Sequence, residues 1–209
     1  MNFGPFTIAL VLITALISIP AMNDDRLVNK LILWPRKMTT PGEYYRLLTS
    51  GFIHNDWGHL IFNMVALLSF GTFVEREFST FSTPWLYIFM YLSGIIIASL
   101  PSFVKNRDNP YYRALGASGG TAAVLLSSVY FGPWNTMQLY FIPIPIPGIL
   151  FAVLYLIYSG WASKNRQDNI GHDAHFWGSV YGFVFTLVLE PTHGARFLHL
   201  LMQPHYSFR

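Results

Sequence analysis

Residues 114–163 read ALGASGGTAAVLLSSVYFGPWNTMQLYFIPIPIPGILFAVLYLIYSGWAS, fifty residues without one Asp, Glu, Lys or Arg. A helical bilayer crossing takes about 20 apolar residues, so this stretch is too long for one span and is read as two. Gly132-Pro133-Trp134-Asn135 breaks it where a helix begun at Leu115 would leave the membrane, which gives spans over 115–131 and 147–163. Pro143, Pro145 and Pro147 exclude a regular helix interior, so residues 141–146 are predicted to lead into the second of these spans in extended form.

The whole chain follows the same pattern. It is 53% hydrophobic and 17% aromatic but only 11% charged, against roughly 25% charged in soluble domains. An all-α polytopic membrane protein is predicted, a single domain over 1–209 with six transmembrane helices around a water-accessible cavity. The remaining spans are read at 3–22, 57–74, 82–103 and 174–189, with an interfacial loop over 23–56. The first is uncharged and longer than the ~7 to 15 apolar residues of a signal-peptide core, so it is read as retained. The second closes on Glu75-Arg76-Glu77, the third has Pro84 in its first turn and Pro101 at its end, and the tail from Glu190 is placed at the surface.

Several function classes drop out early. The absence of cysteine excludes thiolate nucleophiles and cysteine zinc sites. A net charge of +3 without a basic run gives no nucleic-acid surface and concerns topology and lipid headgroups. No internal repeat suggests a duplicated transporter.

Spans two, four and six run in the same direction, so their first residues lie at one membrane face, and the unusual polar residues sit at those starts. They are His59 and Asn63, four apart on one helical face, then Ser118 and His175. With a helix running from Arg113, Ser118 would lie roughly 7 Å below the arginine, within reach of water from one side. Ionisable groups inside a membrane are costly and mark functional sites.

A serine hydroxyl needs an adjacent base, which a neutral imidazole supplies, and the oxyanion it creates needs fixed donors. Ser118 and His175 are the candidate catalytic pair. His59, Asn63 and the backbone at Ser118 and Gly119 are candidate oxyanion donors. Gly116-x-x-x-Gly120 and Gly178-x-x-x-Gly182 provide small-residue grooves that let spans four and six touch. Asp173 lies two residues from His175, on a different helical face, so a dyad is favoured over a triad. No His-Glu-x-x-His helix occurs, and neither a metal nor a cofactor is expected.

Gly116-Ala117-Ser118-Gly119 in span four, Ala174-His175 with Gly178 and Gly182 in span six, and His59-Leu-Ile-Phe-Asn63 in span two resemble the motifs of the rhomboid intramembrane serine proteases. The resemblance covers nearly the whole chain. It implies hydrolysis of a peptide bond in or next to a substrate's transmembrane helix, with Ser118 as nucleophile, His175 as base then acid, and His59 and Asn63 at the oxyanion. It also implies transmembrane-protein substrates, a lipid environment and a lateral gate where span five lies beside span two. Tyr45-Arg46 stands where the family has Trp-Arg, which gives Arg46 a supporting role, and His54 matches a structural histidine. The form resembled is the minimal bacterial one, without a soluble amino-terminal domain or seventh span, in the plasma membrane.

The chain departs from the family pattern in two places. Ala122 occupies the position of a tyrosine that stacks on the catalytic histidine, which leaves Phe176 or Trp177 to compensate, and the family's Glu-x-Arg appears as Glu75-Arg76-Glu77. Orientation is contested as well. Ten of the thirteen Lys and Arg lie in odd-numbered loops, which the positive-inside rule places in the cytoplasm together with the site's mouth. The family orientation, with an extracytoplasmic mouth, is preferred because the first loop reads as a folded element whose basic residues have partners. The rival from another class is a catalytically inactive rhomboid-like adaptor that binds transmembrane helices, against which Ser118 and His175 both argue. Oligomeric state is not encoded legibly.

Overall fold

The structure, a computed structural model, describes residues 3–137, 146–165 and 171–204. Among these residues the chain forms α1 (Pro5–Ala21), α2 (Asp25–Leu31), α3 (Arg46–Thr49), α4 (Trp57–Phe81), α5 (Pro84–Lys105), α6 (Ser118–Phe131), α7 (Gly148–Asn165), α8 (His172–Leu189) and α9 (Thr192–Leu201). A two-residue antiparallel ladder, β1 (Thr136–Met137) with β2 (Ile146–Pro147), ties the start of α7 back to the turn after α6. The predicted extended lead-in over 141–146 lies, but for Ile146, outside the described residues.

On α1 and α8 several polar side chains face inward and large apolar ones face outward. On α1 the inward positions Thr7, Thr14 and Ser18 are 0% exposed, while Leu16 is 73% exposed. Ser179 and Thr186 of α8 are likewise buried and Val188 is turned out. Polar groups inside with leucine and valine outside reverses the order a helix adopts against water. Among the described residues two helices, α4 and α5, are long and apolar enough to cross a membrane by length and composition alone, and α1 and α6 are shorter apolar helices.

α6 is the axis. Every residue from Gly119 to Phe131 is buried, and α4, α5 and α8 pack around it, α8 most extensively. A Cβ at Gly178 would overlap the Gly119 carbonyl, and one at Gly182 would overlap the backbone of Ala123. The groove that receives α8 is therefore Gly119/Ala123, three residues on from the Gly116/Gly120 pair expected. Gly120 faces Tyr91 and Ile95 of α5 instead. Thr186 Oγ1 lies 2.8 Å from Ser127 Oγ across the α6–α8 contact.

Several boundaries depart from the sequence expectations. α4 runs through Glu75 to Phe81 because the Glu75 carboxylate is buried and accepts hydrogen bonds from Phe6 N (3.1 Å), Thr7 N (2.8 Å) and Thr7 Oγ1 (2.8 Å). Those amides open α1 and lack helical acceptors, so the charge that read as the end of a span instead caps a neighbouring helix. Pro101 lies inside α5, not at its end. α6 begins at Ser118, three residues later than the predicted 115, because Ala114 pairs with Leu33 in an isolated β-bridge and Gly116 takes φ +118°. Ser118 is thus the first residue of its helix, and the depth reckoned along a helix from Arg113 does not apply. α8 starts at His172, two residues early.

The 23–56 loop is folded. Arg46, 6% exposed, donates to the carbonyls of Asn29 (2.8 Å) and Ile32 (3.2 Å) and to Glu43 Oε2 (2.5 Å). It thereby satisfies carbonyls left open at the end of α2. Trp34 carries the side chains of Lys37 and Arg113, each 3.8 Å from its ring centre. Beyond α8, α9 is fixed by Tyr130 Oη donating to the Glu190 carbonyl and Trp134 Nε1 donating to that of Leu200.

Candidate active site

The segment that delivers Ser118 is held from below by its own backbone donors. Gly116 N donates to the Ser50 carbonyl (2.9 Å) and Ala117 N donates to His54 Nε2 (3.3 Å). His54 Nδ1 in turn lies 3.1 Å from Ser18 Oγ on α1. Accepting at Nε2 assigns the proton to Nδ1, so this ring is neutral and bridges α1 to the turn before Ser118. Burial and the neighbouring His59 push its pKa down to about 3, against a smaller upward pull from Asp56.

Gly116 is required by two conditions at once. Its φ of +118° is one side chains rarely adopt, and a Cβ there would sit 2.6 Å from His59 Cε1. The His59 ring therefore rests against the turn that precedes Ser118. Asp56 caps α4 by accepting from His59 N (2.8 Å), and the ring stands edge-on to His54 with centroids 4.8 Å apart. Asn63 is buried and donates Nδ2 to the His59 carbonyl at 2.9 Å, so in this state one of its amide protons serves its own helix.

The start of α8 meets the start of α6 through the Gly178–Gly119 contact. Ser118, Gly116 and Ala174 line one recess with Ser50, Ser99, Ser102 and Tyr112. The hydroxyls in that lining make it hospitable to water. Asp173 turns to α5, where its carboxylate accepts from Ser102 Oγ at 3.4 Å.

His175 lies one residue past Ala174. Its imidazole is stacked on Tyr155 of α7, centroids 5.8 Å apart and planes 23° apart, and stands edge-on to His172 at 5.9 Å. Among the described residues the ring stacked on His175 is thus that of Tyr155, while Phe176 and Trp177 pack edge-to-face on each other. Sequence reasoning searched the neighbours of His175 along α8, whereas the ring comes from the preceding helix. The periodicity of α7 gave no signal of it.

The described geometry therefore groups Ser118, Gly116, Gly119, His59 and His54 at the head of α6, with Gly178 beneath and Gly182 one turn further down. Arg46 stands apart, as a brace of the 23–56 loop.

A family model described as the Rhomboid domain matches residues 41–192. The chain is 32% identical over 155 residues to the Rhomboid protease GluP of Bacillus subtilis, covering 74% of this chain and 28% of that protein. It is 29% identical to RHOMBOID-like protein 12, mitochondrial, of Arabidopsis thaliana, over 66% of this chain and 44% of the other. It is 25% identical to the Rhomboid protease GlpG of Klebsiella pneumoniae, over 93% and 66%. The chain spans less than half the length of the first two.

Proposed function

Because the chain belongs to the rhomboid family of polytopic helical membrane proteins, whose members include proteases among its relatives, we propose that it is an intramembrane serine endopeptidase. The reaction is hydrolysis of a peptide bond in or beside the transmembrane helix of a membrane-protein substrate. The observation that carries this reading is the close packing of Gly178 on Gly119, which sets the first turns of α8, bearing His175, against the turn bearing Ser118.

In this mechanism the Ser118 hydroxyl attacks the scissile carbonyl as His175 takes its proton, and His175 then returns a proton to the leaving amine. The oxyanion meets the free N–H groups at the start of α6, where the helix dipole favours negative charge. His59, lying against Gly116, and the second amide proton of Asn63 complete the donor set. Water drawn from the hydroxyl-lined recess hydrolyses the acyl-enzyme, with His175 again as base. The groups are the chain's own, and no metal or cofactor enters any step.

The six crossings in this reading are α1, α4, α5, α6, α7 and α8. At ~1.5 Å per residue α6 is about 21 Å long, shorter than the ~30 Å hydrocarbon core. In this reading Ser118, at one end of that short helix, lies below the surface in a recess fed from the mouth. The membrane is the bacterial plasma membrane with the mouth extracytoplasmic. The lateral gate lies between α7 and α4, which make no extensive contact among the described residues.

The test is cleavage of a single-span reporter in liposomes by the wild type, Ser118→Ala and His175→Ala, with circular dichroism to establish folding. Loss of cleavage in both folded variants is the expected result. Cleavage that survives Ser118→Ala overturns the mechanism, and absence of cleavage by the wild type over several reporters favours a helix-binding adaptor.

A further inference from the structure

Helix α7 presents Tyr155 and Tyr158, three residues apart on one face, to His172 and His175 of α8, likewise three apart. The pairing is antiparallel: Tyr155 stacks on His175 and Tyr158 meets His172 edge-on with centroids 5.6 Å apart. Phe151 extends the column by stacking on Tyr155 at 5.7 Å and 16°. We infer that Tyr155 is a positioning residue for His175, and that this support is present only while α7 lies docked on α8.

The inference rests on the serine–histidine reading above and adds a condition to it. The second side-chain torsion of a histidine is broad, so the plane of the ring is set by what touches it. A tyrosine face stacked on the imidazole fixes that plane, and with it the direction of the nitrogen that must meet the serine hydroxyl. The ring belongs to the least embedded of the helices around the site. α7 packs chiefly on α8 and only lightly on α6, and few of its residues, Ala152, Ser159 and Ala162 among them, are buried. Leu150, Val153, Leu154 and Ile157 point outward.

Position 122, one turn after Ser118 on the enclosed α6, holds an alanine and supplies no ring. Support carried on α6 would be permanent, and support carried on α7 is conditional. A substrate helix that moves α7 aside takes Tyr155 from His175. Chemistry then waits until α7 closes again on the bound chain, which gives the order admission, re-docking, acylation.

The experiment measures the rate at which a small fluorophosphonate acylates Ser118 in detergent, together with kcat and KM on a single-span reporter. The proteins are the wild type and Tyr155→Phe, Tyr155→Leu and Tyr155→Ala. The expected result is near wild-type labelling of Tyr155→Phe, which keeps the ring, and labelling about ten- to a hundredfold slower in the other two, as misplaced catalytic groups cost. On the reporter the loss falls on kcat. Tyr155→Leu retains bulk at the helix contact and serves if circular dichroism shows that the alanine variant has unfolded. Wild-type labelling rates in folded Leu or Ala variants overturn the inference alone, as does a Phe variant as slow as they are. An unlabelled wild type removes the serine–histidine reading and this inference with it.

Discussion

His54 accepts the backbone hydrogen of Ala117 on one ring nitrogen and reaches Ser18 with the other, so one neutral imidazole joins the first helix to the turn that carries Ser118. Its pKa of about 3 lies below the unfolded value of 6.5. Between those values the unfolded chain binds a proton that the folded chain does not, so the ring's contribution is complete above pH 6.5 and is lost as pH falls toward 3. Melting temperatures of the wild type in detergent should fall across that window, and His54→Gln, which cannot titrate, should give a flatter profile. Equal slopes for the two proteins would remove His54 as the source.

Glu75→Ala strips the acceptor from two amides and one hydroxyl at the head of α1. Buried donors left unpaired cost about 1 to 3 kcal/mol each, so this variant should melt well below wild type. Glu75→Gln keeps one carbonyl acceptor and should fall between. Thermal melts in one detergent check the order Glu, Gln, Ala.

Gly178→Ala and Gly182→Ala drive a methyl into the α6 backbone, where no flexible side chain can give way. Overpacking of a tight contact costs about 1 to 3 kcal/mol, and here it also parts Ser118 from α8. Both variants should lose reporter cleavage as well as stability. Gly160→Ala is the control, because its Cβ would meet Phe176 at an ordinary 3.5 Å; it should retain both.

Gly116→Ala forces a side chain into a φ of +118° and against His59. Such strain costs about 1 to 3 kcal/mol, and its relief moves the turn before Ser118. Fluorophosphonate labelling should fall at least about tenfold while the helical circular dichroism is retained. Unchanged labelling would show that the turn tolerates a Cβ.

Long uncharged runs and small-residue spacings carried the helices and the approach of α6 to α8 into plain view, but not which residues of α6 meet Gly178 and Gly182. What escaped was decided between segments. Glu75 read as the end of a span because its partners, Phe6 and Thr7, lie almost seventy residues away. The true start of α6 depends on the Leu33–Ala114 bridge, which hydropathy does not register. Tyr155 belongs to no motif and became visible only once α7 was laid on α8. The site's residue types were legible in order, and the contacts that hold their geometry were not.

Ser118 heads a helix enclosed by protein from Gly119 to Phe131. Lipid presses only on the outer helices, so the height of the proposed nucleophile is a fixed mark on a ruler that the bilayer does not stretch. A thicker or thinner membrane slides the substrate along that ruler. Under the proposed function, one substrate would then be cut at different residues in different membranes, the site of cleavage chosen by the substrate's register.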